Sequence, residues 1–256
     1  MSFFSKLFGH KSAPVPAPVP APAPPPAPAP VSAVVPTSPA ADGTILVDGR
    51  SYCPLAAMAA PAGAIGWSFA GKVEDRGRFR PPEASLDLKR TYGAYMILGG
   101  RNVLIVVDQA ATGPGAKEWG LIHAAAQRLV DCYPALNAQA KDALGNLNAV
   151  IFAKSTKRSF ASVVGGWFFY DTDEFFDSAG GLITPAYVAS NMVHDANHVR
   201  QFHARQPHTG NAAEIDGWQL QVDNRAALGL QQYEVDFLRG YIADPEKAAQ
   251  RMNEIP

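Results

Sequence analysis

Val193-His194-Asp195-Ala196-Asn197-His198-Val199-Arg200-Gln201 decides how this chain is read. His194 and His198 are four residues apart, one helical turn, so both imidazoles leave the same face about 40° apart on a helical wheel. Two imidazoles at that spacing can grip one zinc ion, and an acid directly after the first His can handle the proton of a water on that ion. The common form of the motif is H-E-x-x-H; here Asp195 takes the acid's place, one methylene shorter.

Working outward, Thr184-Pro185 is an N-cap followed by proline at the first helical position, which predicts a helix start there. Gln206-Pro207 marks its fade. The pair then lies mid-helix, where geometry is firm. Asp195 falls on the side carrying Val188, Met192, Val199 and Phe202, and a buried carboxylate there needs a partner or a metal. Gln201 lies near the His face one turn on, within reach of the site. A helical His pair can also be a surface accident, in which case no metal binds.

Two His need a third protein ligand. Downstream runs Asn211-Ala212-Ala213-Glu214-Ile215-Asp216-Gly217-Trp218-Gln219-Leu220-Gln221. Asn211 reads as an N-cap, which puts Glu214 at the third helical position. Glu214 then has two readings. Its carboxylate reaches back to the Asn211 N–H as a capping box, or a short turn folds this helix back and sets Glu214 beside the two His. Asp216 points about 200° away from Glu214 and is the poorer ligand.

From Gly165 to Gln232, about a quarter of the chain, the sequence resembles the gluzincin-type zinc metallopeptidases. In that family a strand along the substrate cleft precedes a helix with two His ligands, and a following helix gives a Glu ligand. The resemblance assigns Gly166-Trp167-Phe168-Phe169-Tyr170 to the strand, His194 and His198 to the pair, and Glu214 to the third ligand. Two positions depart from the pattern. Asp195 replaces the catalytic Glu, and Trp218 stands where many members place an Asp that supports the first His.

Composition bounds the rest. Net charge is −1, so no imbalance recruits nucleic acid or an anionic membrane. Cys53 and Cys132 form no framework and read as small core residues, which suits a reducing compartment. No signal peptide is recognised and no span approaches the roughly 20 residues of a membrane helix, so the expected location is cytoplasmic. Phe3, Phe4, Leu7 and Phe8 form one apolar face of a docking or membrane-touching peptide, or a frayed end. Residues 13 to 40 are Pro/Ala/Val low complexity, with 12 of the 22 prolines. That composition predicts extended polyproline II of roughly 80 Å, a spacer or a ligand for a partner's aromatic groove. Residues 1–41 are thus expected to be a disordered arm, and 42–256 one folded domain.

Within that domain Thr44 to Val47 reads as a strand. Tyr92–Leu98 and Val103–Asp108 flank Gly99-Gly100-Arg101-Asn102 as a hairpin. Gly113-Pro114-Gly115-Ala116-Lys117 lacks phosphate-loop spacing and reads as a helix-entry turn. Lys117 to Cys132 has helical spacing, Pro134 to Asn148 a second helix, and Asn148 to Ala153 a strand. Tyr233 to Met252 reads as helix with a break at Asp244-Pro245; Pro54 to Arg80 gives no clear pattern. The order predicts an α+β fold, a small sheet with a helical C-terminal half carrying the site. His123 reads as a core or surface histidine, and His203 points away from the pair. His208 in the connecting loop is a substrate-side donor or substitute ligand, and Tyr233 and Tyr241 are candidate oxyanion donors.

The function expected from these readings is a zinc-dependent hydrolase acting on a peptide or protein. Zinc sits on His194, His198 and Glu214, with Asp195 as general base. The alternative is a catalytically weak or inactive zincin-like binding or scaffold module that keeps the fold, with or without the zinc.

Overall fold

The computed structural model describes residues 45–47, 50–54, 91–108, 117–154, 159–163, 165–176 and 180–246. The N-terminal arm, the stretch 55–90, the expected turn before Lys117 and residues 247–256, where the sequence continues the last helix to Met252, lie outside them. The architecture is α+β: a seven-stranded mixed sheet and six helices among the described residues.

Ile45–Val47 (β1) and Arg50–Pro54 (β2) pair antiparallel, and β2 pairs with Thr91–Leu98 (β3). β3 turns directly into Arg101–Asp108 (β4). The turn is only Gly99-Gly100, with φ of 57° and 83°, the left-handed conformations a two-residue hairpin demands. Arg101 and Asn102, read as turn residues in the sequence, pair with Leu98 and Ile97 instead.

Past β4 the sheet becomes parallel, and parallel strands need a crossover. Lys117–Cys132 (α1), a 3₁₀ turn at Tyr133–Ala135 and Ala138–Gly145 (α2) supply it, leading to Ala149–Ala153 (β5) beside β4. The predicted single helix over Pro134–Asn148 is therefore interrupted. Asn137 starts a new helix by accepting the Ala140 N–H at 2.8 Å. Phe160–Ser162 (β6) and Trp167–Asp171 (β7) complete the order β1-β2-β3-β4-β5-β7-β6.

The central strands bury both faces, as parallel strands do. Val103, Ile105, Val107, Val150, Phe152, Phe168 and Tyr170 join the main core with the helices. The alternate residues Leu104, Val106, Ile151, Trp167 and Phe169 form a second cluster on the other face. No described helix is long and apolar enough to cross a membrane.

A 3₁₀ turn at Thr172–Phe175 leads from β7 to Pro185–His203 (α3), the central helix. Thr184 is its N-cap and accepts the Tyr187 N–H at 3.0 Å, with Pro185 in the first turn, as the sequence predicts. α3 packs on α1, α2 and the following helix, Asn211–Asp223 (α4). Val188, Met192, Val193 and Ala196 are fully buried in the main core. A short helix, Arg225–Leu228 (α5), and Gln232–Ala243 (α6) follow, the latter ending just before Asp244-Pro245.

Candidate metal centre

Because α3 is buried on nearly every side, its polar side chains must find partners inside the protein. They find them on α4, in three polar layers. In the first, Gln221 Nε2 donates to Ser190 Oγ at 2.7 Å and Asn191 Oδ1 at 3.0 Å, and Asn191 Nδ2 donates to the Tyr170 hydroxyl at 3.0 Å. The second layer is the His pair with Glu214. The third is Asp216 with Asn197, Arg200 and Gln201.

In the middle layer, His194 Nε2 stands 3.0 Å from His198 Nε2 and 3.1 Å from Glu214 Oε2. His198 Nε2 stands 3.5 Å from Glu214 Oε1. All candidate ligand atoms lie within 4.8 Å of one another, so the three residues can hold a metal ion. The fit is close. Zn–N bonds of about 2.0–2.1 Å at a tetrahedral angle separate two nitrogens by roughly 3.3 Å, so the rings need open by only a few tenths. Both Nδ1 atoms are buried with no hydrogen-bond partner among the described residues, and both Nε2 atoms face the common point.

Glu214 reaches this point from α4, which begins one residue earlier than its sequence suggests. Gly210, at φ 81°, is the N-cap, and Asn211 is already helical. Glu214 thus sits at the fourth helical position, no side chain caps the helix, and the capping-box reading of Glu214 is overturned. His194 is seated directly on the α4 backbone: a Cβ at Gly217 would stand 2.6 Å from its Cε1 and Nδ1. Trp218 lies beside it, ring centroids 6.0 Å apart.

The electrostatics favour a charged cluster. Burial works against the Glu214 carboxylate, yet the hydrogen bonds and charges of His194 and His198 hold it well below the usual carboxylate range. Burial also opposes a charge on His198, but Glu214 and Asp195, with Gln201, carry its pKa above the ordinary histidine value. Asp195 differs: burial pushes its carboxyl up to about 6, with Glu214 and Glu174 adding to the rise and the two His opposing it. It makes no hydrogen bond among the described residues. Asp195 is therefore half-buried beside the cluster with its oxygens uncommitted, a carboxylate able to take or give a proton.

The other sequence candidates separate. His123 is a buried core residue of α1, 5% exposed. His203 is exposed, its Nδ1 3.0 Å from Asn146 Oδ1, and His208 packs against Phe202 with centroids 5.2 Å apart. Tyr233 is exposed and its hydroxyl donates to Glu234 at 3.4 Å, while Tyr241 packs on Trp218 at 5.1 Å. The run assigned to a cleft-lining strand is β7, but it is flanked by β5 and β6, so the outer position is held by Phe160–Ser162.

Sequence reasoning passed over Asp216. Its Oδ2 accepts from Gln201 at 2.8 Å, Asn197 at 2.9 Å and Arg200 at 3.4 Å. The wheel angle that turns it from Glu214 was the available signal: it places Asp216 against the next turn of α3. A 720 Å³ cleft opens on this side, between Gln139, Arg200, Gln206 and Asp216, and none of the three ligand candidates lines it.

No protein-family model matches this chain, and no curated protein or solved structure matches it either.

Proposed function

We propose that the protein is a zinc-dependent hydrolase, most simply a peptidase, on a zincin-like domain. His194, His198 and Glu214 hold the ion, and Asp195 is the general base. One observation carries this reading: two imidazoles of α3 and a carboxylate of α4 converge within 4.8 Å, next to an acid that makes no hydrogen bond among the described residues. An imidazole, imidazole, carboxylate set suits zinc and leaves a position open. The order of a sheet strand, a helix with the His pair and a helix with the Glu supports the zincin-like assignment.

Zinc, when bound, lowers the pKa of a water towards 7 and polarises a carbonyl. Asp195 takes the water's proton and returns it to the leaving amine as the bond breaks. Its reach is shorter than that of Glu by about one C–C bond, and misplacement on that scale costs about 100-fold, so turnover is slow.

The two departures from the family pattern favour a second reading, a binding module that keeps the metal without turnover. Asp195 is short, and His194 Nδ1 has no supporting acid. One set of variants separates the readings. Purified protein carries zinc near one equivalent, and His194→Ala or His198→Ala loses it. Asp195→Asn keeps the zinc and abolishes hydrolysis of a peptide library. Asp195→Glu preserves or raises the rate where the pocket accepts one more methylene. Cleavage at the same background level in wild type and Asp195→Asn overturns the enzyme reading in favour of the binding module. Full zinc content after both His are replaced removes the site.

A further inference from the structure

The third polar layer of the α3–α4 interface leads back to the metal centre through one side chain. Gln201 is 4% exposed, and its amide nitrogen is committed to Asp216 Oδ2 at 2.8 Å. Its carbonyl oxygen is therefore turned away from Asp216, and that Oε1 is buried without a hydrogen-bond partner. One turn earlier on the same helix, His198 has the complementary defect. Its Nε2 faces His194 and Glu214, and its Nδ1 is buried without a partner. An open acceptor and an open donor, both buried and three residues apart on one helix face, are costly to leave unmet. The two atoms fall short of hydrogen-bond geometry in this structure, although three residues along a helix brings their side chains onto one face. His194 has no such acceptor: its Nδ1 lies over Gly217.

We propose that Gln201 is a positioning residue of this centre: its carbonyl oxygen accepts the Nδ1–H of His198 and fixes Nε2 as the ligating nitrogen. The amide nitrogen, held by Asp216, keeps the carbonyl pointed that way and transmits the charge of that carboxylate to the bond. Asn197 and Arg200, on the same Oδ2, keep Asp216 in place. This inference deepens the metal-site reading and rests on it. The two imidazole ligands are then unequal, His198 anchored by an outer partner and His194 by the backbone beneath it.

The test uses the full-length chain and zinc alone as the probe. Zinc affinity is measured by competition with a chromophoric chelator, and stability of the metal-free chain by urea unfolding. Gln201→Met keeps the side chain's length and removes the acceptor. It should weaken zinc binding roughly 10–100-fold, the usual cost of losing an outer partner. A role confined to helix packing lowers stability and leaves the affinity of the folded chain unchanged. In zinc-loaded wild type the His198 Nδ1–H should exchange slowly in an NMR spectrum, and in Gln201→Met quickly. Zinc affinity indifferent to Gln201→Met, or a His198 Nδ1–H that exchanges as quickly in zinc-loaded wild type as in Gln201→Met, overturns this inference and leaves the site standing. A wild-type chain that takes up no zinc overturns the site itself.

Discussion

Asp195 and Asp216 sit on neighbouring helices in opposite surroundings. Asp216 accepts from three α3 side chains, while Asp195 accepts from none among the described residues. A satisfied carboxylate builds structure; an unsatisfied one beside two imidazoles is available for chemistry. Gly217 shows how closely the rest is fitted, because the His194 ring occupies the place a Cβ would need. In Gly217→Ala the ring must shift, at an overpacking cost of about 1–3 kcal/mol, against a helix-propensity gain of about 1 kcal/mol. Metal-free stability should therefore fall by no more than about 2 kcal/mol in urea. Zinc affinity should fall at least about 10-fold, because the displaced Nε2 no longer meets the other ligands. Wild-type affinity in Gly217→Ala would mean that the ring is free to move off this backbone.

At the scale of elements, one buried carboxylate ties together the starts of two helices. Glu234, 4% exposed, accepts the Gln231 N–H at 2.8 Å in the capping box of α6 and also the hydroxyl of Thr184, the N-cap of α3. Glu234→Ala removes both acceptors and leaves buried donors behind, so stability should fall by about 2–3 kcal/mol in urea unfolding. Asp223→Ala, on the exposed end of α4, should change it by less than about 0.5 kcal/mol. A loss under about 1 kcal/mol in Glu234→Ala would mean that the two helix starts are not joined through this residue. Local chemistry made much of this legible. Thr184-Pro185 marked the start of α3, the spacing of Trp119, Ile122, Ala126 and Leu129 marked α1, and the diglycine marked the hairpin. What escaped depended on distant partners. β6 is three residues long and is a strand only because Phe160–Ser162 lies along β7, where Phe160 stacks on Phe169 at 5.2 Å. Asn211 carries a capping side chain, but the left-handed Gly210 before it takes the cap position. Asp216 was set aside as a ligand on a correct angle, and its contacts with α3 could be seen only once the two helices were packed.

For the whole molecule, the candidate centre sits between the main apolar core on one side of α3 and a polar contact with α4 on the other. α3 is buried in the main cluster through Val188, Met192, Val193 and Ala196, whereas its contact with α4 passes through polar layers. A metal on His194, His198 and Glu214 would clamp α4 to that core, and the unfolded chain has no preformed equivalent. Binding restricted to the folded state adds stability as RT ln(1 + [L]/Kd), about 2.7 kcal/mol at 100 times Kd. For a domain of this size that is a rise in Tm of roughly 5–10 °C, to be read by calorimetry on metal-free protein with and without zinc. Glu214→Ala should lose most of the rise, because α4 then offers no ligand. Asp195→Asn should keep it, because the proposed mechanism has Asp195 act on water and not on the ion. Magnesium should give little, since hard cations prefer oxygen donors to imidazole. A zinc shift undiminished in Glu214→Ala would place the ion elsewhere. A shift lost in Asp195→Asn would make that residue a ligand, and the division between an α3–α4 clamp and a separate base would have to be redrawn.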